Sequence, residues 1–209
     1  MNHKITSWAL LLCVGIVGGC GAARPAKYYQ LTSPSDVPSA ADPDHFPVIL
    51  VLGRIASSHL YREDHVVFGS VGESMGIYEY ERWAEPPTEM IDDVLLRELR
   101  TSGHYRAVYM LGSNIRGDYL LRGHLYDFKE VDGSTLVGRV AFGLELRDTK
   151  TGTIVWTHYY THDEPVSGKN VSAVAAALNR SVQLGVKEFK VSLDQYFESN
   201  PPVNSVAAR

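Results

Sequence analysis

From Val171 onward, Val174, Ala175, Leu178, Val182, Val186, Phe189, Leu193 and Phe197 recur every three or four residues. Apolar side chains at that spacing line one stripe of an α-helix, and a helix so patterned is stable only when the stripe lies on another apolar surface. The rest of the chain must therefore supply a broad apolar layer. Gly185 falls on the same stripe. Glycine inside a helix costs about 1 kcal/mol relative to alanine, so this one predicts close approach by a neighbouring element.

The expected partner layer is a sheet. Phe46 to Ile55 contains the continuous run Val48-Ile49-Leu50-Val51-Leu52, the pattern of a strand covered on both faces. His65 to Gly69 and Gly76 to Glu81 read as a hairpin around Gly72 and Gly76. Pro86-Pro87 opens a first helix, with Glu89, Asp92 and Asp93 near its positive end, Arg97 and Arg100 near its negative end, and Gly103 as its stop. Tyr105 to Tyr109 is a short strand. Asp118 to Val131, Thr135 to Asp148 and Thr153 to Thr161 then form a meander, turned by Asp132-Gly133 and by Lys150-Thr151-Gly152. In its middle strand Leu136, Val140, Phe142, Leu144 and Leu146 share one face, while Arg139, Glu145 and Arg147 share the other, which predicts one wet face. The sum is a two-layer α+β fold, a mixed or antiparallel sheet with two main helices on one face, spanning residues 46–197.

The chain's 44% apolar and 21% charged residues exclude a mainly disordered, collagen-like or multi-span membrane protein. Twenty Lys and Arg against 24 Asp and Glu leave a formal charge of -4 and no basic run, which argues against a nucleic-acid partner. The only cysteines, Cys13 and Cys20, lie near the N-terminus. Met1 to Lys4 followed by the apolar run Ile5 to Val17 reads as a secretory signal peptide covering residues 1–19, because about a dozen apolar residues fall short of the roughly 20 needed to span a bilayer. Val17-Gly18-Gly19-Cys20 resembles the lipobox of bacterial lipoproteins. That resemblance implies a diacylglycerol on the Cys20 thiol, cleavage just before it and an acylated new amino group. A mature chain without a free thiol suits an oxidising periplasm. Gly21 stands where Asp would favour inner-membrane retention in the enteric sorting rule, which points to the outer membrane.

Between Cys20 and His45 the prolines Pro25, Pro34, Pro38 and Pro43 sit among Ala, Ser and Asp, and the segment reads as a tether. Its length reaches roughly 80 Å fully extended and about 25 to 30 Å as a coil. Within it Tyr28-Tyr29-Gln30-Leu31 either docks on the domain as an extended segment or remains part of the tether. Residues 198–209, with Pro201-Pro202 and no pattern, read as a frayed tail.

Chemistry-bearing motifs are scarce. No GxSxG, P-loop, HExxH or dinucleotide fingerprint occurs in the sequence, and no cofactor is implied. His158 and His162 resemble a metal-ligand pair, but on a strand rising about 3.3 Å per residue they would lie roughly 13 Å apart, too far to share one ion. Glu63-Asp64-His65, His59, His124 and Asp127 read as solvated surface groups. A third function class, a periplasmic hydrolase using one of the histidines, has no nucleophile to go with it. The more informative stretch is Ile77-Tyr78-Glu79-Tyr80-Glu81-Arg82-Trp83. If Tyr78 and Tyr80 face outward, then Tyr78, Tyr80, Arg82 and Trp83 form a partner-binding strip rich in hot-spot residue types; the alternative is that this side packs beneath the first helix. An aromatic strip on an edge strand would also suit a homo-oligomer built by repeated heterologous contacts.

Taken together, Cys20 with its signal, Tyr28 to Leu31, the Val48 to Ile55 strand, Trp83-Ala84-Glu85-Pro86, Val94-Leu95, Asp118-Tyr119 and Val174-Ala175-Ala176-Ala177-Leu178 resemble the ABC-type transport auxiliary lipoproteins, the PqiC-like family attached to MCE-type lipid transport systems. The resemblance implies a non-catalytic periplasmic subunit anchored to the outer membrane. Its implied partners are an MCE-domain protein and an ABC permease and ATPase, and its implied role is lipid transport and membrane integrity. It also implies a fold similar to the N-terminal domain of TolB. Family members carry a more apolar segment after the first strand, where this chain has Ser57-Ser58-His59 and Arg62-Glu63-Asp64. The competing reading is an outer-membrane lipoprotein that activates a peptidoglycan synthase, a task that calls for a longer tether.

Overall fold

A computed structural model describes residues 24–33, 46–70 and 74–202. The expected signal peptide, Cys20, the stretch 34–45, the hairpin tip with Gly72 and the tail from 203 lie outside the described residues. In chain order the elements are β1 (Lys27–Tyr29), β2 (Phe46–Ser57), a 3-10 turn (His59–Arg62), β3 (His65–Ser70), β4 (Met75–Trp83), α1 (Pro87–Thr101), β5 (Tyr105–Met110), β6 (Tyr119–Asp132), β7 (Val137–Asp148), β8 (Ile154–Pro165) and α2 (Val171–Ser199). The architecture is mixed α+β: one eight-stranded sheet with two helices.

β6 organises the sheet. One of its sides pairs antiparallel with β7 along nearly its whole length, from Tyr119↔Asp148 to Val131↔Val137, and β7 pairs in turn with β8. Its other side is divided. β2 runs parallel to the first half (Leu50↔Tyr119 to Ser57↔Leu125), and β3 runs parallel to the end (Phe68↔Glu130 to Ser70↔Asp132). Where the two successive partners meet, the ladder with β7 is irregular between Leu125 and Asp127. Tyr61 of the 3-10 turn is buried there and its hydroxyl lies 3.4 Å from Asp127 Oδ1. β5 lies outside β2 on one branch, and β4 then β1 lie outside β3 on the other.

The two helices pack their apolar stripes into one continuous core with the alternate residues of the sheet: Ile91, Leu95 and Leu99 from α1, Val182, Val186 and Phe189 from α2, and Val140, Phe142 and Leu146 from β7. Arg139, Glu145 and Arg147 stay partly exposed, as the alternation along β7 requires. The expected boundaries of α1 hold, with Pro87 in its first turn and Gly103 just past its end at φ 68°, a left-handed conformation that glycine adopts without a steric penalty. β8 continues four residues beyond the expected Thr161, to Pro165.

Of the two alternatives for Tyr28 to Leu31, docking on the domain is the one the structure shows. Residues 27–29 form a strand parallel to β4, in the register Lys27↔Glu81, Tyr28↔Arg82 and Tyr29↔Trp83. The Tyr29 hydroxyl donates to Glu81 Oε2, and its carbonyl accepts from the Ala84 N–H at 2.7 Å. Leu31 is buried in the core. Thr32 is clamped by α2: its N–H donates to Asn179 Oδ1 at 2.9 Å, and its carbonyl accepts from Gln183 Nε2 at 2.8 Å. The Ser33 hydroxyl donates to Glu98 of α1. This arm crosses from the sheet edge to the helix layer and ties the two together.

Asp92 also departs from its expected part. It does not simply sit in the helix's positive field; it is 3% exposed and its carboxylate accepts the Ile55 N–H at 3.2 and 3.4 Å, where β2 loses register with β6 between Leu52 and Ile55. Burial pushes its pKa up to about 7, with the Ile55 N–H and Arg54 pulling the other way. A carboxyl whose folded pKa lies above its unfolded value favours the folded state when protonated, so this residue's contribution falls as pH rises through the window from about 4 to 7. Asp92→Asn keeps an acceptor for Ile55 and cannot ionise. Denaturant titrations should show its stability gaining on the parent's as pH rises from 4 to 8, with most of the gain complete by about 7. Parallel pH profiles would refute this assignment.

Candidate functional site

The strip singled out on β4 splits into three environments. Tyr78 is half-buried; its ring lies 4.8 Å from that of Phe68 and its hydroxyl donates to Glu130 Oε2 at 2.9 Å. Burial and the neighbouring Glu130 raise its pKa to about 12, which keeps it neutral and a donor at ordinary pH. Tyr80 is half-exposed, and the Arg24 guanidinium lies 5.5 Å from its ring centroid, within cation–π range. The Arg82 guanidinium donates to Asp64 Oδ1 at 2.7 Å. Trp83, by contrast, is 1% exposed. It sits 5.1 Å from Phe128 and edge-on to Tyr29 at 6.2 Å, so as a partner-contacting residue it is corrected to a core residue.

The reason lies in the ladder. Between the pairs Val67↔Ile77 and His65↔Arg82, β4 holds more residues than β3, so the strict alternation of faces is broken. Tyr78 and Tyr80 therefore do not predict where Trp83 points. Neither alternative foreseen for the strip holds as a whole: Trp83 turns into the core, Tyr78 leans on Phe68 and Glu130, and Arg24 of the arm covers Tyr80.

A second surface lies on the sheet's open face, where a groove of about 440 Å³ is lined by Arg122, His124, Tyr126, Gly143, Glu145 and Tyr159. Gly143 stands in register between His124 of β6 and Tyr159 of β8. A Cβ on Gly143 would stand 3.6 Å from the Tyr126 ring and 3.7 Å from that of Tyr159, so both rings close over the glycine. The two rings meet edge to face at 5.6 Å, and His124 lies 4.6 Å from Tyr126. This platform was missed in the sequence. Its signal was there in principle, as tyrosines at outward positions of two strands flanking a glycine, but it becomes visible only once the register is known.

The histidines considered as ligands are separately occupied. His158 Nε2 lies 2.7 Å from Glu188 Oε1, and His162 Nε2 lies 3.0 Å from Glu164 Oε2. His59 and His65 both approach Glu63, at 3.1 and 3.4 Å. Among the described residues no group of three or more His, Cys, Asp or Glu is placed to hold a metal ion. Also among them, no helix is long and apolar enough to cross a membrane. The accessible chemistry of both surfaces is that of aromatic rings, guanidinium groups and paired carboxylates.

The model of the ABC-type transport auxiliary lipoprotein component family matches residues 29–188. The chain belongs to this family. The match begins within β1, so the family unit includes the arm. The auxiliary lipoprotein is also similar in fold to the crystal structure of protein XCC0632 from Xanthomonas campestris, at 20% identity and a TM-score of 0.75, covering 84% of this chain and 98% of that one. A crystal structure of an uncharacterized protein aligns at 12% identity and a TM-score of 0.63, over 81% of this chain and 99% of that one. The hypothetical protein CT253 from Chlamydia trachomatis aligns at 8% identity and a TM-score of 0.52, over 72% and 97%. No curated protein matches the chain in sequence. As a family member, it is an auxiliary lipoprotein component of ABC-type transport.

Proposed function

We propose that this auxiliary lipoprotein is a non-catalytic subunit fixed by acyl chains on Cys20 to the periplasmic face of the outer membrane, where it serves an MCE-type lipid transport system with an inner-membrane permease and ATPase. The observation that carries the reading is the arm. A lipoprotein whose residues 27–33 are built into the sheet edge and clamped by both helices is made to hold its body at the anchor. Only residues 21–26 separate Cys20 from β1, and the seven steps from Cys20 to Lys27 reach at most about 25 Å. So short a lead also weighs against the competing role as a peptidoglycan-synthase activator, which must reach into the wall.

The two aromatic surfaces, half-exposed Tyr80 with Arg82 on β4 and the Tyr126–Tyr159 platform on the open face, supply the hot-spot chemistry expected of a scaffold that binds protein partners. The test is affinity capture of the intact lipoprotein from detergent extracts of its own host. Recovery of an MCE-domain protein and an ABC permease or ATPase is the expected result, and Tyr126→Ala combined with Tyr159→Ala should reduce that recovery about tenfold or more. Intact lipoprotein that brings down none of these components would refute the assignment.

A further inference from the structure

The direction of β1 carries a consequence for how the body meets the membrane. β1 is parallel to β4, so followed backwards from Lys27 it heads toward the β3–β4 hairpin end, not away from it. Arg24, stacked on Tyr80, keeps the chain on that course. Cys20 stands as many residues before Lys27 as Ser74 does before Glu81, its register partner, and it lies within about 14 Å of Arg24 along the chain. The hairpin end is thus within chain reach of the residue read as the lipid anchor.

That end is apolar where water would be expected. Phe68, Met75 and Ile77 are 38%, 47% and 42% exposed. They are adjacent in the ladder, through the pairs Phe68↔Gly76, Gly69↔Met75 and Val67↔Ile77. A Cβ on Gly76 would stand 2.5 Å from the Phe68 ring, so the ring lies on the Gly76 side of the hairpin. Met75 and Ile77, alternating with Gly76, point to the opposite side. A hairpin apolar on both sides is poorly served by one flat protein partner, whereas a bilayer surface covers both at once.

Its surroundings fit that layer. Along β4 from the hairpin stand Tyr78 and Tyr80, with the Arg24 guanidinium 5.5 Å from the Tyr80 ring centroid, the residue types that settle at head-group depth; Lys27 and Tyr28 lie farther off, opposite Glu81 and Arg82. Lys129 Nζ lies 3.9 Å from Met75 Sδ. Resting on the reading of Cys20 as the lipid anchor, we infer that the β3–β4 hairpin is a second membrane contact, with Phe68, Met75 and Ile77 seated in the interfacial layer beside the acyl chains. A tether this short keeps the hairpin at high effective concentration against the bilayer, so side-chain contacts too weak to bind alone suffice.

The test uses the processed, lipidated protein. Its Cys20 thiol is occupied and Cys13 is removed with the signal, so an introduced cysteine is the only reactive thiol. Ile77→Cys and, in the β7–β8 turn beside the start of β6, Lys150→Cys are each labelled with an environment-sensitive fluorophore. Both are then reconstituted into phosphatidylethanolamine/phosphatidylglycerol vesicles carrying a nitroxide-headgroup quencher. The expected result is co-flotation of both proteins, with the probe at 77 quenched at least about twofold more than the probe at 150. Co-flotation with equal, weak quenching would overturn the membrane contact while leaving the anchor standing. The same holds if the probe at 77 is unquenched by the nitroxide and shielded only as the protein density in the vesicles rises, which would make the hairpin an interface between copies. Protein that stays in solution would defeat the anchor reading and this inference with it.

Discussion

Replacing Trp83 with alanine should remove about 3–5 kcal/mol of stability and release the N-terminal arm in the same step. The indole is 1% exposed and packs between Phe128 of β6 and Tyr29 of β1, so truncation opens a cavity where the sheet's outer branch meets the core. The backbone around it is equally committed: the Trp83 N–H donates to the Asp64 carbonyl at 2.6 Å, and the Ala84 N–H donates to Tyr29. Loss of the ring leaves β1, only three residues long, without the side chain opposite its last residue. Denaturant unfolding should record the global loss, and limited trypsin digestion should cleave after Lys27 faster than in the parent. Tyr80→Ala, two strand positions from Arg82 and half-exposed, should change stability by no more than about 0.5 kcal/mol. A Trp83→Ala protein as stable and as trypsin-resistant as the parent would show that the arm is held by the clamp on α2 and not by this ring.

The second large effect is expected at Gly185. A Cβ there would stand 2.8 Å from both Cδ1 and Cε1 of Tyr160, and 3.0 Å from Cε1 of Phe142. The Tyr160 ring has little freedom to withdraw, because its hydroxyl is bound to the Ser181 carbonyl at 2.8 Å, one turn earlier on the same helix. It lies buried across the helix backbone at the glycine. Alanine would gain roughly 1 kcal/mol of helix propensity but must push a fixed aromatic ring off the helix, a strain of about 1–3 kcal/mol. Gly185→Ala should therefore lower stability by up to about 2 kcal/mol, and Gly185→Val should lower it further. In a Tyr160→Leu background the alanine should cost much less, since the atoms it meets are gone. A double-mutant cycle reads that coupling directly, and a coupling near zero would refute the close-approach account.

Gly185 illustrates what could be read before any coordinates existed. A glycine on the apolar stripe of an otherwise regular helix implies a close neighbour, and only the neighbour's identity, Tyr160 on β8, had to wait. The same holds for α1, bounded by Pro87 and Gly103, and for the β6–β7–β8 meander, whose turns and alternation are local properties. β1 was different. Three residues carry no periodicity, and whether Tyr28 to Leu31 docked was open until β4, Asn179 and Gln183 were in place to receive them. Trp83 was misassigned because it was grouped with Tyr78 and Tyr80 although it stands an odd number of residues from both, and because β4 advances five residues where β3 advances two, so the alternation before it is broken.

Hydrophobic period, proline and glycine placement and the cysteine pattern belong to neighbouring residues, so the primary sequence alone determined that this chain makes two helices over a sheet and resembles a lipoprotein. The pairing of distant strands depends on which backbone edges are left open once the core has formed. That choice, a β6 shared between β2 and β3 and a β1 laid parallel on β4, was made only in three dimensions, and it points the start of β1 toward the apolar hairpin.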